Sequence, residues 1–243
     1  HPSDFSVKTL DNVAEDWPLK YSELEPYFDV NEKMMGVAGL VGDTAYPEYK
    51  SLLPPIPLGD MGQEMAKAFN KKHWHWWPSY SAINTSKRNN RSNCINLGPC
   101  NTGCSQGAKG SVDITYWPEA KLNGVEVYTE SRVYEITLNS KGFADGVLYL
   151  DKNGIEFKCK AKIVIIACSG IGTPRLLLNS KSTAFPDGLL NDNGLVGRNL
   201  MLHPLAYVEG VFEKNLNSSL GPHGCCIFSQ EFYETRSEND FFR

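Results

Sequence analysis

Three cysteines fall close together, Cys94, Cys100 and Cys104, spaced Cys-x5-Cys-x3-Cys in a stretch that also carries Gly98, Gly103, Gly107 and Gly110. Thiolates ligate soft metals, and three of them on a short glycine-rich loop can converge on one iron–sulfur cluster, with loop N–H groups donating to sulfide and tuning its potential. The same spacing is met by a zinc site, although zinc would want a fourth ligand and none is nearby in sequence. It is equally met by three buried free thiols, or by one disulfide such as Cys100–Cys104. On spacing alone these four readings stay open.

A second candidate is the run Lys162-Ile163-Val164-Ile165-Ile166-Ala167-Cys168, followed by Ser169-Gly170-Ile171-Gly172-Thr173-Pro174. A strand, a Gly-x-Gly turn and a helix N-terminus together form a cradle in which backbone N–H groups point outward and a cofactor can come close. The full dinucleotide fingerprint needs a third small residue where Arg175 stands, and G-x-G-x-x-G occurs nowhere in the chain. A tight strand-to-helix turn with no ligand explains the same residues. His73 and His75 alternate with Trp74 and Trp76, which suits either a metal pair or an edge strand with snorkelling rings. His203, in Leu202-His203-Pro204, and the adjacent Cys225 and Cys226 read as packing residues.

The elements that must position these groups follow from pattern. Ser22-Glu23-Leu24-Glu25 matches a capping box, with Leu24, Phe28 and Met35 at near-helical spacing, and predicts a helix over 23–35. Gly36, Gly39 and Gly42 end it, and Pro54-Pro55-Ile56-Pro57 forces extended backbone. Asp60 is placed to cap a second helix carrying Met61, Met65, Ala68 and Phe69 on one face and ending before His73. Runs at 125–138, 146–150, 155–159 and 163–168 read as strands, with Asn153-Gly154 as a two-residue hairpin turn because both residues tolerate positive φ. The run 163–168 is apolar at every position, which predicts a central parallel strand covered on both faces. A helix is expected to start near Pro174, a residue suited to the first helical position.

The chain has 243 residues, 24 basic and 28 acidic. No dense Lys/Arg stripe occurs, so nucleic acid is not an expected partner. The longest uncharged stretch near the middle, 163–174, falls well short of the ~20 apolar residues that span a bilayer. Seven cysteines are too sparse for a disulfide scaffold. The sequence opens on His1 without a signal-peptide pattern and stops at Arg243, so it reads as an internal fragment.

Taken together, several segments resemble the glucose–methanol–choline (GMC) flavoprotein oxidoreductases. They are Asp16-Trp17-Pro18-Leu19 with Tyr21 and Tyr27, Gly36-Val37-Ala38-Gly39, the loop from Gly103 to Ser111, the segment from Ala167 to Ser180, and Val196-Gly197-Arg198-Asn199-Leu200-Met201-Leu202-His203-Pro204. Within that family the likeness is to the bacterial dehydrogenase large subunits that act on gluconate, glucose, sorbitol and related polyols. The family helix signature closes on Ser-Gly, where this chain has Ser180-Lys181, and many relatives place a proline after the third cysteine, where it has Ser105.

The resemblance implies an α/β fold, part of a Rossmann-like FAD-binding domain with a β-meander plus part of a mixed α+β substrate domain. It assigns 1–40 and 94–200, the latter with the cysteine loop, to the FAD-binding domain, 41–93 to the substrate domain, and 201–243 to the start of a further substrate-domain segment. It implies FAD held by Val133, Ala167, Cys168, Gly170, Thr173 and Pro174, and a three-iron cluster on Cys94, Cys100 and Cys104. The reaction implied is hydride transfer to flavin from the CH–OH of a sugar, sugar acid or polyol, with electrons passed to an acceptor other than NAD. The pyrophosphate loop would lie upstream of His1 and the catalytic histidine beyond Arg243, so no catalytic residue falls within the chain and the fragment alone would be inactive. A cytochrome or small subunit is implied as partner, with a periplasmic or inner-membrane-associated location. The alternative from another class is a non-catalytic iron–sulfur electron-transfer or structural module.

Overall fold

A computed structural model describes residues 1–88, 90–221 and 226–233. In chain order a 3-10 turn (Pro2–Phe5) leads to α1 (Val7–Asp11), α2 (Tyr21–Met35), α3 (Gly59–Lys72), β1 (Trp77–Pro78), α4 (Tyr116–Leu122), β2 (Arg132–Leu138), β3 (Ala144–Leu150), β4 (Glu156–Lys160), α5 (Ser169–Asn179) and β5 (Ile227–Phe228). His1–Val125 with the described residues from Gly210 onward form one compact unit, and Glu126–Glu209 form another.

The second unit is built on an antiparallel meander in the order β2-β3-β4. Both of its hairpins use one device. Asn139 Oδ1 accepts from the amides of Lys141 and Phe143, and Asp151 Oδ1 accepts from those of Asn153 and Ile155, while the backbones of Gly142 and Gly154 are left-handed at φ 81° and 78°. A short polar side chain thus folds the turn, and a glycine supplies the one residue at positive φ. The expected two-residue Asn153-Gly154 turn is therefore a longer turn in which only Gly154 is left-handed. The strand expected over 125–138 begins at Arg132. Ile136, Leu176 and Leu189 form the buried centre, with Leu138, Val147, Ile166 and Phe185 packed around it. Burying each such side chain contributes about 1.5–3 kcal/mol.

The parallel strand expected over 163–168 is not formed among the described residues, whose two sheets are both antiparallel. Ile166 packs on the core, whereas Ile163 and Ile165 are 78% and 85% exposed. Val164 and Ile166 are half-buried while the residues alternating with them are exposed, and no described strand lies beside the segment to exchange backbone hydrogen bonds or cover its outer face. The helix expected to start near Pro174 starts at Ser169 instead. Thr173 Oγ1 accepts the Cys168 amide at 3.2 Å, and Ser169 turns the chain at φ 65°.

In the first unit, α2 begins two residues before the predicted range. Its capping carboxylate is Glu23, which accepts the Lys20 amide at 2.8 Å, rather than Glu25 with Ser22. Asp60 lies inside the first turn of α3 and accepts from Asn217, so it is not the cap. The buried face of α3 is Gly62 and Ala66, while Met61 and Met65 are exposed. A β-carbon at Gly62 would meet Cys226 Sγ at 2.9 Å, so the small residue lets the helix approach Cys226, Ile227 and Trp76. A second small cluster of Ala38, Ile56 and Ile83 packs against Leu53 and Cys94 and anchors the start of the cysteine loop.

Candidate functional site

The cysteine loop lines a cavity of about 30 Å³, partly open to solvent, whose wall includes Cys94, Cys100 and Cys104 together with Gly98, Pro99 and Ala108. Hydrogen bonds fix the backbone of each cysteine, at Cys104 through its carbonyl, which accepts the Gly107 amide at 3.0 Å. The Cys94 amide donates to Asn84 O at 2.8 Å, the Cys100 amide to Gly98 O at 2.7 Å, and Lys109 Nζ to Cys100 O at 2.8 Å. Burial pushes the Cys104 thiol up, but the backbone N–H groups of Lys109, Ala108, Gln106 and Gly107 pull it further down, and it ends below the usual thiol range. Beneath the loop, the Arg91 guanidinium donates to Met35 O, Gly107 O and Ala108 O.

The six described cysteines are free thiols, so the Cys100–Cys104 disulfide is not formed. Among the described residues no group of three or more His, Cys, Asp or Glu side chains is arranged to hold a metal ion, and that includes Cys94, Cys100 and Cys104. The three thiols share the wall of one cavity without converging on a common point in the arrangement a bound metal would need.

The other candidate lies at the start of α5. Thr173 and Pro174 are half-buried, while Ala167, Cys168 and Gly170 are exposed, and Val133 stands half-exposed on β2. A β-carbon at Gly170 would have no heavy atom within 4 Å, and its φ is not in the left-handed range. Nothing in the described chain thus requires glycine there.

The histidines and the paired cysteines singled out in the sequence, where described, resolve into structure or surface. His75 Nε2 lies 2.9 Å from Asp43 Oδ1, and its Nδ1 accepts the Gln230 amide at 3.3 Å. His73 ends α3 in a left-handed conformation. His203, expected to pack, is exposed. Cys226 is buried as expected, and Cys225 lies outside the described residues. Sequence reasoning missed Arg91, whose setting Asn90-Arg91-Ser92 looks like a solvated turn, and Asp43, which nothing marks as buried. The one available signal was the lack of an acidic residue near Arg91 in the chain, a weak one.

With this geometry in hand, comparison with known sequences decides the family. The pattern of the GMC oxidoreductases matches residues 80–205. The chain belongs to the GMC oxidoreductase family. It is 40% identical over 231 residues to the 2-methyl-1,2-propanediol dehydrogenase of Mycolicibacterium austroafricanum, covering 93% of this chain and 42% of that protein. It is 29% identical over 207 residues to the fructose dehydrogenase large subunit of Gluconobacter japonicus, covering 84% and 38%. It is 31% identical over 200 residues to the paromamine 6'-oxidase of Streptomyces fradiae, covering 81% and 36%. The chain therefore spans less than half the length of these GMC relatives. No described helix is long and apolar enough to cross a membrane.

Proposed function

We propose that this GMC chain forms part of an FAD-dependent dehydrogenase that oxidises the CH–OH of a sugar, sugar acid or polyol and passes the electrons to an acceptor other than NAD. The observation that carries the reading is the match to the GMC oxidoreductase pattern over residues 80–205, which contains the segment 167–174 at the start of α5. When bound, FAD supplies the hydride acceptor. The chain's own part is to bind and orient it. Val133, Ala167, Cys168, Gly170, Thr173 and Pro174 are the residues proposed to line its site, with the FAD-binding domain comprising 1–40 and 94–200. Residues 41–93 and 201–243 are assigned to the substrate side. In the same reading Cys94, Cys100 and Cys104 hold a three-iron cluster, supported by their shared cavity and by the N–H groups around Cys104. The name of the fructose dehydrogenase large subunit supports a partner subunit, and a cytochrome or small subunit is the proposed one.

The test is a full-length protein purified anaerobically. It is expected to be yellow and to carry iron. Gly170→Val should lose flavin while keeping iron, and Cys100→Ser should lose iron while keeping flavin. A folded full-length protein without flavin removes the enzyme reading. Flavin with zinc, or with no metal at all, removes the cluster alone.

A further inference from the structure

Residues 229–231 fasten to His75, just past the end of α3, through its backbone and its ring alike. The β1·β5 ladder that leads into them is short, Trp77 with Phe228 and Pro78 with Ile227, and Pro78 has no N–H to give it. The His75 amide donates to Glu231 Oε2 at 2.6 Å, and its carbonyl accepts from Ser229 Oγ at 2.5 Å. The ring adds a further tie, because Nδ1 accepts the Gln230 amide at 3.3 Å. A backbone N–H can only donate, so Nδ1 must present a lone pair. The ring proton therefore sits on Nε2, which donates to Asp43 Oδ1 at 2.9 Å.

Two opposing demands meet at that ring. The Asp43 side chain is 1% exposed; its Oδ1 takes both the Nε2 proton and the Ala45 amide, and its Oδ2 has no hydrogen-bond partner among the described residues. A buried carboxylate so thinly compensated attracts positive charge to the imidazole beside it. A second ring proton has one place to go, Nδ1, and there it faces the Gln230 N–H, donor against donor. We infer that His75 is a proton-operated clasp: as the neutral imidazole it holds residues 229–231 in place, and a proton taken up at Nδ1 breaks the Gln230 bond and loosens them. Held segment and bound proton exclude one another, and the coupling is reciprocal. Other titratable groups also face the ring or the segment. Glu231 accepts the His75 amide, Tyr46 accepts from Gln230 Nε2, the His1 ring meets those of Tyr46 and Tyr233, and Asp4 accepts from the Tyr233 hydroxyl. Burial pushes the Tyr46 and Tyr233 phenols up, so both stay neutral at and below neutral pH. Glu231, Asp4 and His1 are left as rival sources of any pH dependence here.

The experiment is hydrogen–deuterium exchange with mass spectrometry on the full-length protein from about pH 8 to about pH 5.5, the range in which imidazoles take up a proton. It reads the protection of peptides spanning 226–233, corrected for intrinsic exchange, against that of β3. In wild type the protection should hold at the upper end and fall about tenfold by the lower, the worth of one hydrogen bond, while β3 is unmoved. His75→Gln should hold the segment across the whole range, since its amide offers an oxygen to Gln230 and an N–H to Asp43 and does not titrate. A wild type without the fall overturns the inference. The same fall in His75→Gln overturns it too, and assigns the effect to Glu231, Asp4 or His1. If His75→Gln already lacks protection at about pH 8, Asp43→Asn decides. With the buried charge gone, the fall should come at lower pH than in wild type or lie below the range, and a fall at the same or higher pH overturns the inference.

Discussion

The hydroxyl of Ser180, at the C-terminal end of α5, accepts the backbone amide of Ile136 at 2.9 Å and donates to Leu176 O at 2.7 Å. Among the described residues β2 pairs only with β3, the Ile136 amide points away from the meander, and Ser180 is the group that satisfies it in the interior. Replacing Ser180 by Ala leaves a buried N–H without a partner and should cost about 1–3 kcal/mol. Chemical denaturation of the full-length protein, followed by tryptophan fluorescence and by flavin release, checks this. An unchanged midpoint would show that water enters the site.

Gly36 closes α2 at φ 73°, and a β-carbon there would lie 2.4 Å from Asn84 Oδ1, whose side chain is fully buried beside Arg91. Gly42 has a similar φ of 93° but opens onto free space. Alanine at Gly42 should therefore cost only the backbone strain, about 1–2 kcal/mol. Alanine at Gly36 adds a collision with a side chain that cannot retreat, so its melting temperature should fall distinctly further. Equal effects of the two substitutions would contradict the packing around Asn84.

Asp43 has a side chain that is 1% exposed, and its Oδ1 is shared by the Ala45 amide at 2.9 Å and His75 Nε2 at 2.9 Å. The backbone of His75 is in turn bound by Ser229 Oγ and Glu231 Oε2, which ties residues 229–231 to the end of α3. His75→Ala removes the imidazole that balances a buried carboxylate, and charge-assisted contacts of this kind contribute about 1.5–3 kcal/mol. The measured loss should shrink in the double variant with Asp43→Asn, since the stranded charge is then gone. Additive losses would argue against a direct coupling.

How far the sequence foretold this arrangement depended on how local the causes were. The ranges of α2 and α3 were legible to within about two residues, because hydrophobic spacing and glycine stops act within a few positions. The second turn of the meander was legible from Asn153-Gly154, but its true device, an Asx side chain four residues before an apolar residue, occurs equally at Asn139 and passed unnoticed there. The run at 163–168 misled, because continuous apolarity reports what can be buried and carries no information on which neighbours are present to bury it. Cys94, Cys100 and Cys104 were legible as a group through their spacing. Arg91 was not, because its role comes from carbonyls at Met35, Gly107 and Ala108 that only the fold gathers.

Glu32 offers a test by pH. Burial, and then the carboxylate of Asp29 one turn earlier on α2, hold its carboxyl above the ordinary range. A raised folded-state value means that the folded chain binds the proton more tightly than the unfolded chain. The Glu32 penalty is thus fully present at neutral pH and is relieved as the pH falls through the raised value toward the unfolded value of about 4.3. Glu32→Gln, which cannot ionise, should melt higher than wild type at about pH 7, and the gap should close as the pH is lowered toward about 4.3. Paired thermal melts of the two proteins across that window measure it. A Gln variant that melts lower at neutral pH would mean that Glu32 is stabilised as the carboxylate, contrary to its setting beside Asp29 and Tyr49.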